Sequence, residues 1–143
     1  MSELSSETLH ASCVAIDGRA VLIEGRSGTG KSDLALRLID RGGRLVSDDY
    51  TIVRRREGRL FAFAPDTIAG RIEVRGVGVI AMPYVQDVPV AALVMIDDHP
   101  ERMPVLTATR RIAGVEIRQF ALPSLEPSAP IKIELALAQS TGA

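Results

Sequence analysis

The stretch GRSGTGKSDLALRLIDRGGRLVSDD runs from Gly25 to Asp49. Its opening, Gly25 to Ser32, matches the phosphate-loop pattern G-x-x-x-x-G-K-[ST] at every fixed position. The residue types follow from the task of holding phosphate. Gly25, Gly28 and Gly30 let the backbone curl, with Ser27 and Thr29 between them, until successive N–H groups point inward. A helix that begins beside Ser32 adds its positive end. Lys31 is placed to reach the β and γ phosphates, and the Ser32 hydroxyl to bind magnesium. The apolar run AVLIE (20–24) before the loop reads as a buried strand, and Ser32–Arg41 after it as a helix. Leu34/Leu38 and Ala35/Ile39 recur at helical spacing, and Gly42-Gly43 supply the stop. A strand before and a helix after separate this loop from a chance Gly-rich turn.

RLVSDD (44–49) reads as the next strand, ending in a carboxylate pair. A strand that ends in Asp near a phosphate loop is where a metal-holding or proton-accepting carboxylate belongs. Adjacent residues on a strand point to opposite sides, so Asp48 and Asp49 are expected to do different work. Farther on, IEVRGVGVIAM (72–82) alternates and then breaks at Gly76 and Gly78. Glu73 and Arg75, two apart, share one face of such a strand, where they would serve as metal ligand and charge clamp.

Outward from this centre the chain reads as strand-rich α/β. Asp17-Gly18 and Glu57-Gly58 are hairpin signals, each between apolar runs. Val88–Asp97 and Val115–Leu122 read as strands. IKIELALAQ (131–139) fits either a strand or a helix, and Pro130 favours the helix. Residues 1–8 are polar and expected to be loose. The triple Arg54-Arg55-Arg56 with Arg59 reads as a solvated hairpin tip, Asp97-Asp98-His99 as a strand end, and Cys13 as a packed thiol.

Composition narrows the function classes. The 143 residues suit one domain, 1–143, and 46% are hydrophobic but only 3% aromatic, so the core is aliphatic. Two Tyr, three Phe and no Trp leave little for a base-stacking platform. A formal charge of −1 lacks the basic excess of a nucleic-acid binder. No apolar run approaches the roughly 20 residues of a membrane helix, and the N-terminus lacks an apolar signal core. A single Cys suits a reducing compartment, so a cytoplasmic protein is expected.

Together GRSGTGKS, DLALRLIDRGGRLVSDD and IEVRGVGVI resemble HPr kinase/phosphorylase, over Leu9 to Asp97. The resemblance implies a short form comprising mainly the kinase domain. It implies a phosphate-loop α/β fold like that of phosphoenolpyruvate carboxykinase. It implies ATP-dependent phosphorylation of a serine on the phosphocarrier HPr, with reverse phosphorolysis, in regulation linked to the sugar phosphotransferase system. It implies ATP and Mg2+ as cofactors and a homo-oligomer as in the family. In its terms Asp48 is the acid/base, assisted by His10. Asp49 supports a metal held by Ser32 and Glu73, and Arg75 belongs to the same motif. The sequence departs from the family at Ala11, where a Gly is usual. It also carries no Lys or Arg between Gln119 and Ile131, where the family has a loop used in dephosphorylation. Two other readings stay open: a nucleotide-sensing module that binds ATP without transfer, and a small-molecule kinase whose only late lid candidate is Thr109-Arg110-Arg111.

Overall fold

The computed structural model describes residues 5–26, 28–97, 108–123 and 126–140. Its spine is a nine-stranded sheet. The central strand β3 (Arg19–Glu24) lies between β2 (Ala11–Ile16), antiparallel, and β9 (Val88–Ile96), parallel. β4 (Arg44–Ser47) pairs antiparallel with the far side of β2. β3 and β4 therefore run the same way with β2 between them. Their carboxyl ends and the start of β2 meet at one edge of the sheet, and that edge carries the phosphate loop and the carboxylate pair. On the other side of β9, its start pairs with β6 (Arg59–Phe63) and its end with β11 (Val115–Leu122). β5 (Thr51–Arg56) pairs with β6 and with β1 (Ser6–Leu9), while β10 (Thr109–Ile112) pairs with β11.

Alternation along the strands sorts the core onto two faces. Cys13, Leu22, Val53, Leu60 and Leu93 fill one face. Val14, Val21, Ile23 and Val94 fill the other, under helix α1 (Lys31–Asp40) and helix α2 (Ala129–Ser140). Leu34, Ala35 and Leu38 are the buried stripe of α1, and each fully buried Leu contributes about 1.5–3 kcal/mol. Arg41 Nε and Nη2 donate to the Glu134 carboxylate and tie α1 to α2. Guanidiniums of Arg19 and Arg118 donate to the carbonyls of Leu137 and Ala136 near the end of α2. A separate two-stranded hairpin, β7 (Arg71–Val74) and β8 (Gly78–Ala81), packs Ile72 against the helix-side core.

Most elements fall where the periodicity predicts. Asp17 and Gly18 (φ 50 and 77), like Glu57 and Gly58 (φ 53 and 75), have the paired positive φ of two-residue hairpin turns. α1 ends in the Schellman arrangement: the Gly43 N–H donates to Leu38 O and the Gly42 N–H to Ile39 O. IKIELALAQ lies within α2, with Ile133 and Leu137 buried and Ile131 and Leu135 outward. Three expectations are corrected. Ser6 to Thr8 are not loose but belong to β1, held in register on β5, with the Glu7 carboxylate accepting the Ala113 N–H. The strand over 44–49 stops at Ser47, because Asp49 turns the chain with φ 67. The stretch that alternates from Ile72 and breaks at Gly76 and Gly78 is two strands and not one, a hairpin folded back through Gly76 (φ 85). Asp98 and His99 lie outside the described residues.

Candidate active site

The phosphate loop leaves the carboxyl end of β3. Gly25 is fixed by packing: a Cβ there would meet Thr29 Oγ1 at 2.7 Å and Ile96 Cβ at 3.1 Å. Gly28 (φ 82) and Gly30 (φ 95) take left-handed turns that side chains resist. The Arg26 carbonyl gathers the loop, accepting from the Thr29 N–H at 3.1 Å, from Thr29 Oγ1 at 2.5 Å and from Lys31 Nζ at 3.3 Å. Lys31 Nζ also donates to Gly25 O at 3.0 Å, and the residue is only 6% exposed. Helix α1 begins at Lys31 with no side-chain cap, so its first N–H groups face the loop. Ser27 lies outside the described residues.

Asp48 is the hub. Its Oδ1 accepts from Ser32 Oγ at 2.7 Å and Ser12 Oγ at 3.1 Å, and its Oδ2 accepts the Glu73 N–H at 2.9 Å. One carboxylate thus joins the start of α1, the start of β2 and the β7–β8 hairpin. Asp49 occupies the next position in a different way. The Tyr50 N–H donates to Asp48 O at 2.7 Å across Asp49, whose φ is 67. That is a γ-turn of the rare positive-φ kind, which stores strain. The turn swings the Asp49 carboxylate outward, its side chain 53% exposed, where its Oδ1 accepts from His10 Nε2 at 2.9 Å. Its other oxygen has no hydrogen-bond partner among the described residues. The His10 ring stacks on Tyr50, centroids 4.9 Å apart. Pairing explains these neighbours. Cys13 lies opposite Ser47, so His10 and Ser12 run back alongside Asp48, Asp49 and Tyr50.

These groups border one open cavity of about 340 Å3, lined among others by Gly28, Lys31, Ser32, Asp49, Glu73 and Arg75. The structure therefore brings together every described residue of the expected site except Gly25, Thr29 and His10, which sit behind the lining residues. It also changes two relations. His10 bonds Asp49 and not Asp48, which also lines the cavity but whose two oxygens already accept from three donors. Asp49, expected to support a metal, has its Oδ1 on His10. Arg75 follows β7 and does not lie within it, yet it still lines the cavity beside Glu73. Ser12, fully buried in an apolar strand, was missed. Its one signal is a hydroxyl inside ASCVAI.

The donor set suits a phosphate chain with a hard cation. An ammonium, a guanidinium and uncapped N–H groups face the cavity for anionic oxygens. Ser32 and Glu73 offer oxygen ligands, and magnesium commonly takes one or two of these and completes its shell with phosphate and water. A phosphate loop on a mixed sheet, with the hydrogen-bonded His10–Asp49 pair at the same sheet edge, defines a phosphate-handling α/β protein.

The comparisons narrow that class. Residues 2–87 match the family model of the HPr Serine kinase C-terminal domain, and the chain belongs to this family. The HPr kinase/phosphorylase of Clostridium tetani is 36% identical over 134 residues, 85% of this chain and 44% of that protein. That of Chlorobium phaeobacteroides is 35% identical over 127 residues, 80% of this chain and 38% of that protein. The chain thus spans less than half the length of these curated relatives. The Hpr(Ser) kinase/phosphatase of Coxiella burnetii has a solved structure that superposes with a TM-score of 0.79 at 31% identity, covering 94% of this chain and 95% of that one. The strand-rich α/β fold with its phosphate loop is that of the family. No helix among the described residues is long and apolar enough to cross a membrane.

Proposed function

We propose that this chain is an ATP- and magnesium-dependent kinase that phosphorylates a serine of the phosphocarrier HPr in the cytoplasm. One observation supports the reading above the others. A His10-backed, outward-facing carboxylate shares a cavity with the phosphate loop that contains Lys31 and Ser32. A bound nucleoside triphosphate with magnesium supplies the transferable phosphoryl group. Lys31, Arg75 and the first N–H groups of α1 hold its phosphate oxygens, and Ser32 and Glu73 hold the metal. We assign the proton acceptor to Asp49 and not to Asp48. Asp49 lines the cavity with one oxygen that has no hydrogen-bond partner among the described residues, and His10 Nε2–H steadies its charge. Asp48 accepts three hydrogen bonds and is 7% exposed, which suits a brace. The serine hydroxyl proton passes to Asp49 Oδ2 as the serine oxygen bonds to phosphorus and the bridging oxygen departs with the diphosphate. Run backwards, the same carboxylate returns the proton.

The test is a transfer assay with purified protein, HPr, magnesium and γ-labelled ATP. Acid-stable label located on an HPr serine is the expected result. Tight ATP binding with no label on HPr would overturn the reading and leave a nucleotide-responsive module.

A further inference from the structure

Ser12, with Ser47 and Thr51, is a buried polar side chain at this sheet edge that has no place in the scheme above, and it alone of the three bonds both Asp48 and Asp49. It is 0% exposed. Its hydroxyl works in both directions. The oxygen accepts the backbone N–H of Asp49 at 3.0 Å, and the proton goes to Asp48 Oδ1 at 3.1 Å. The two carboxylates are adjacent in sequence and have different partners, and Ser12 is the group that binds both residues at once. Asp49 sits at a φ of 67 that a non-glycine residue rarely adopts. Such a conformation persists only where its surroundings over-determine it. Three restraints do so: the Tyr50 N–H on Asp48 O, which closes the turn; Ser47 Oγ on Tyr50 O, which ties its end back to β4; and Ser12 on the Asp49 N–H, which anchors the centre of the turn to β2.

We infer that Ser12 is a positioning residue, whose hydroxyl locks the Asp48–Tyr50 turn so that both carboxylates keep their places at the cavity, Asp49 against His10 and Asp48 against Ser32. This rests on the proposed phosphoryl transfer for its effect on rate, but not for its effect on the turn. Ser12 does not line the cavity and bonds no phosphate-loop residue directly; Asp48 keeps Ser32 and the Glu73 N–H when Ser12 is lost. Reaction geometry is sensitive to displacements of an ångström. A freed turn therefore lowers turnover while nucleotide affinity holds.

The experiment compares Ser12→Ala, Ser12→Cys and Ser12→Thr in the whole chain. Ser12→Cys fills the space but makes only weak hydrogen bonds, and Ser12→Thr restores a hydroxyl. In Ser12→Ala the Asp49 amide is expected to exchange with solvent on the order of tenfold faster or more, with the β3 amides unchanged. With HPr as acceptor, kcat is expected to fall about 10- to 100-fold, with KM for ATP unchanged. Ser12→Cys should follow Ser12→Ala, and Ser12→Thr should recover. A wild-type kcat in Ser12→Cys would make the residue a space-filler and overturn the inference, even if Ser12→Thr does not fold. So would an Asp49 amide that stays protected in Ser12→Ala. If the wild-type protein transfers nothing to HPr, the kinase reading falls. The amide exchange then still decides whether Ser12 locks the turn.

Discussion

Replacing Asp48 by Asn removes one charge and almost no volume, so it isolates what the buried carboxylate does. The Glu73 N–H can only donate, so the Asn oxygen must face it and the new NH2 must face Ser12 and Ser32. The Ser32 hydroxyl can rotate to accept. Ser12 already accepts the Asp49 N–H, and its own proton is left facing a donor. Two of the three charge-assisted hydrogen bonds become neutral ones, and the third is lost. A hydrogen bond to a charged group is worth about 1.5–3 kcal/mol and a neutral one about 1 kcal/mol, so the net loss is at least about 2.5 kcal/mol. For a chain of this size that lowers Tm by at least about 5–10 °C. Thermal unfolding followed by circular dichroism measures it. Asp49→Asn, with one exposed partner, is expected to melt within about 1 °C of wild type. Equal melting of Asp48→Asn and wild type would refute the role of Asp48 as a brace.

Three further outcomes are expected. Leu137→Ala costs about 2–5 kcal/mol in chemical denaturation while Leu135→Ala, on the outer face of α2, costs under about 0.5. Lys31→Ala weakens ATP binding about 10- to 100-fold in a fluorescent-nucleotide titration, the worth of one charge-assisted contact. Burial pushes the Cys13 thiol above its ordinary value of 9.0, so it resists thiol reagents at neutral pH until the protein is denatured. The folded state holds that proton more tightly than the unfolded one. Its stability contribution is therefore full below about pH 9 and declines as pH rises past it, a slope that Cys13→Ala removes.

The phosphate loop, α1 and the hairpins are legible because each is set by local chemistry: glycines at positive φ, a 3.6-residue period, and Asp-Gly or Glu-Gly turns. β1 and β10 are not legible. SETL and TRRI are short, polar strands that exist because β5 and β11 offer them partners. α2 is ambiguous in sequence because Ile131, Ile133, Leu135 and Leu137 alternate, and only packing against the sheet selects Ile133 and Leu137. The site residues are legible as a set, but their roles are not. The positive φ at Asp49 reverses which carboxylate turns outward, and no periodicity predicts it. Ser12 is invisible for the same reason: its partners are 36 and 37 residues away.

The central claim is phosphoryl transfer to an HPr serine with Asp49 as proton acceptor. Its most direct test is the rate of labelling of HPr at saturating ATP and magnesium by wild type, Asp49→Asn and Asp48→Asn, each well below its melting temperature. The account predicts a loss of about 100- to 10,000-fold in Asp49→Asn, as for removal of a general base, and a smaller loss in Asp48→Asn. Labelling by Asp49→Asn at the wild-type rate, with Asp48→Asn inactive, would contradict it.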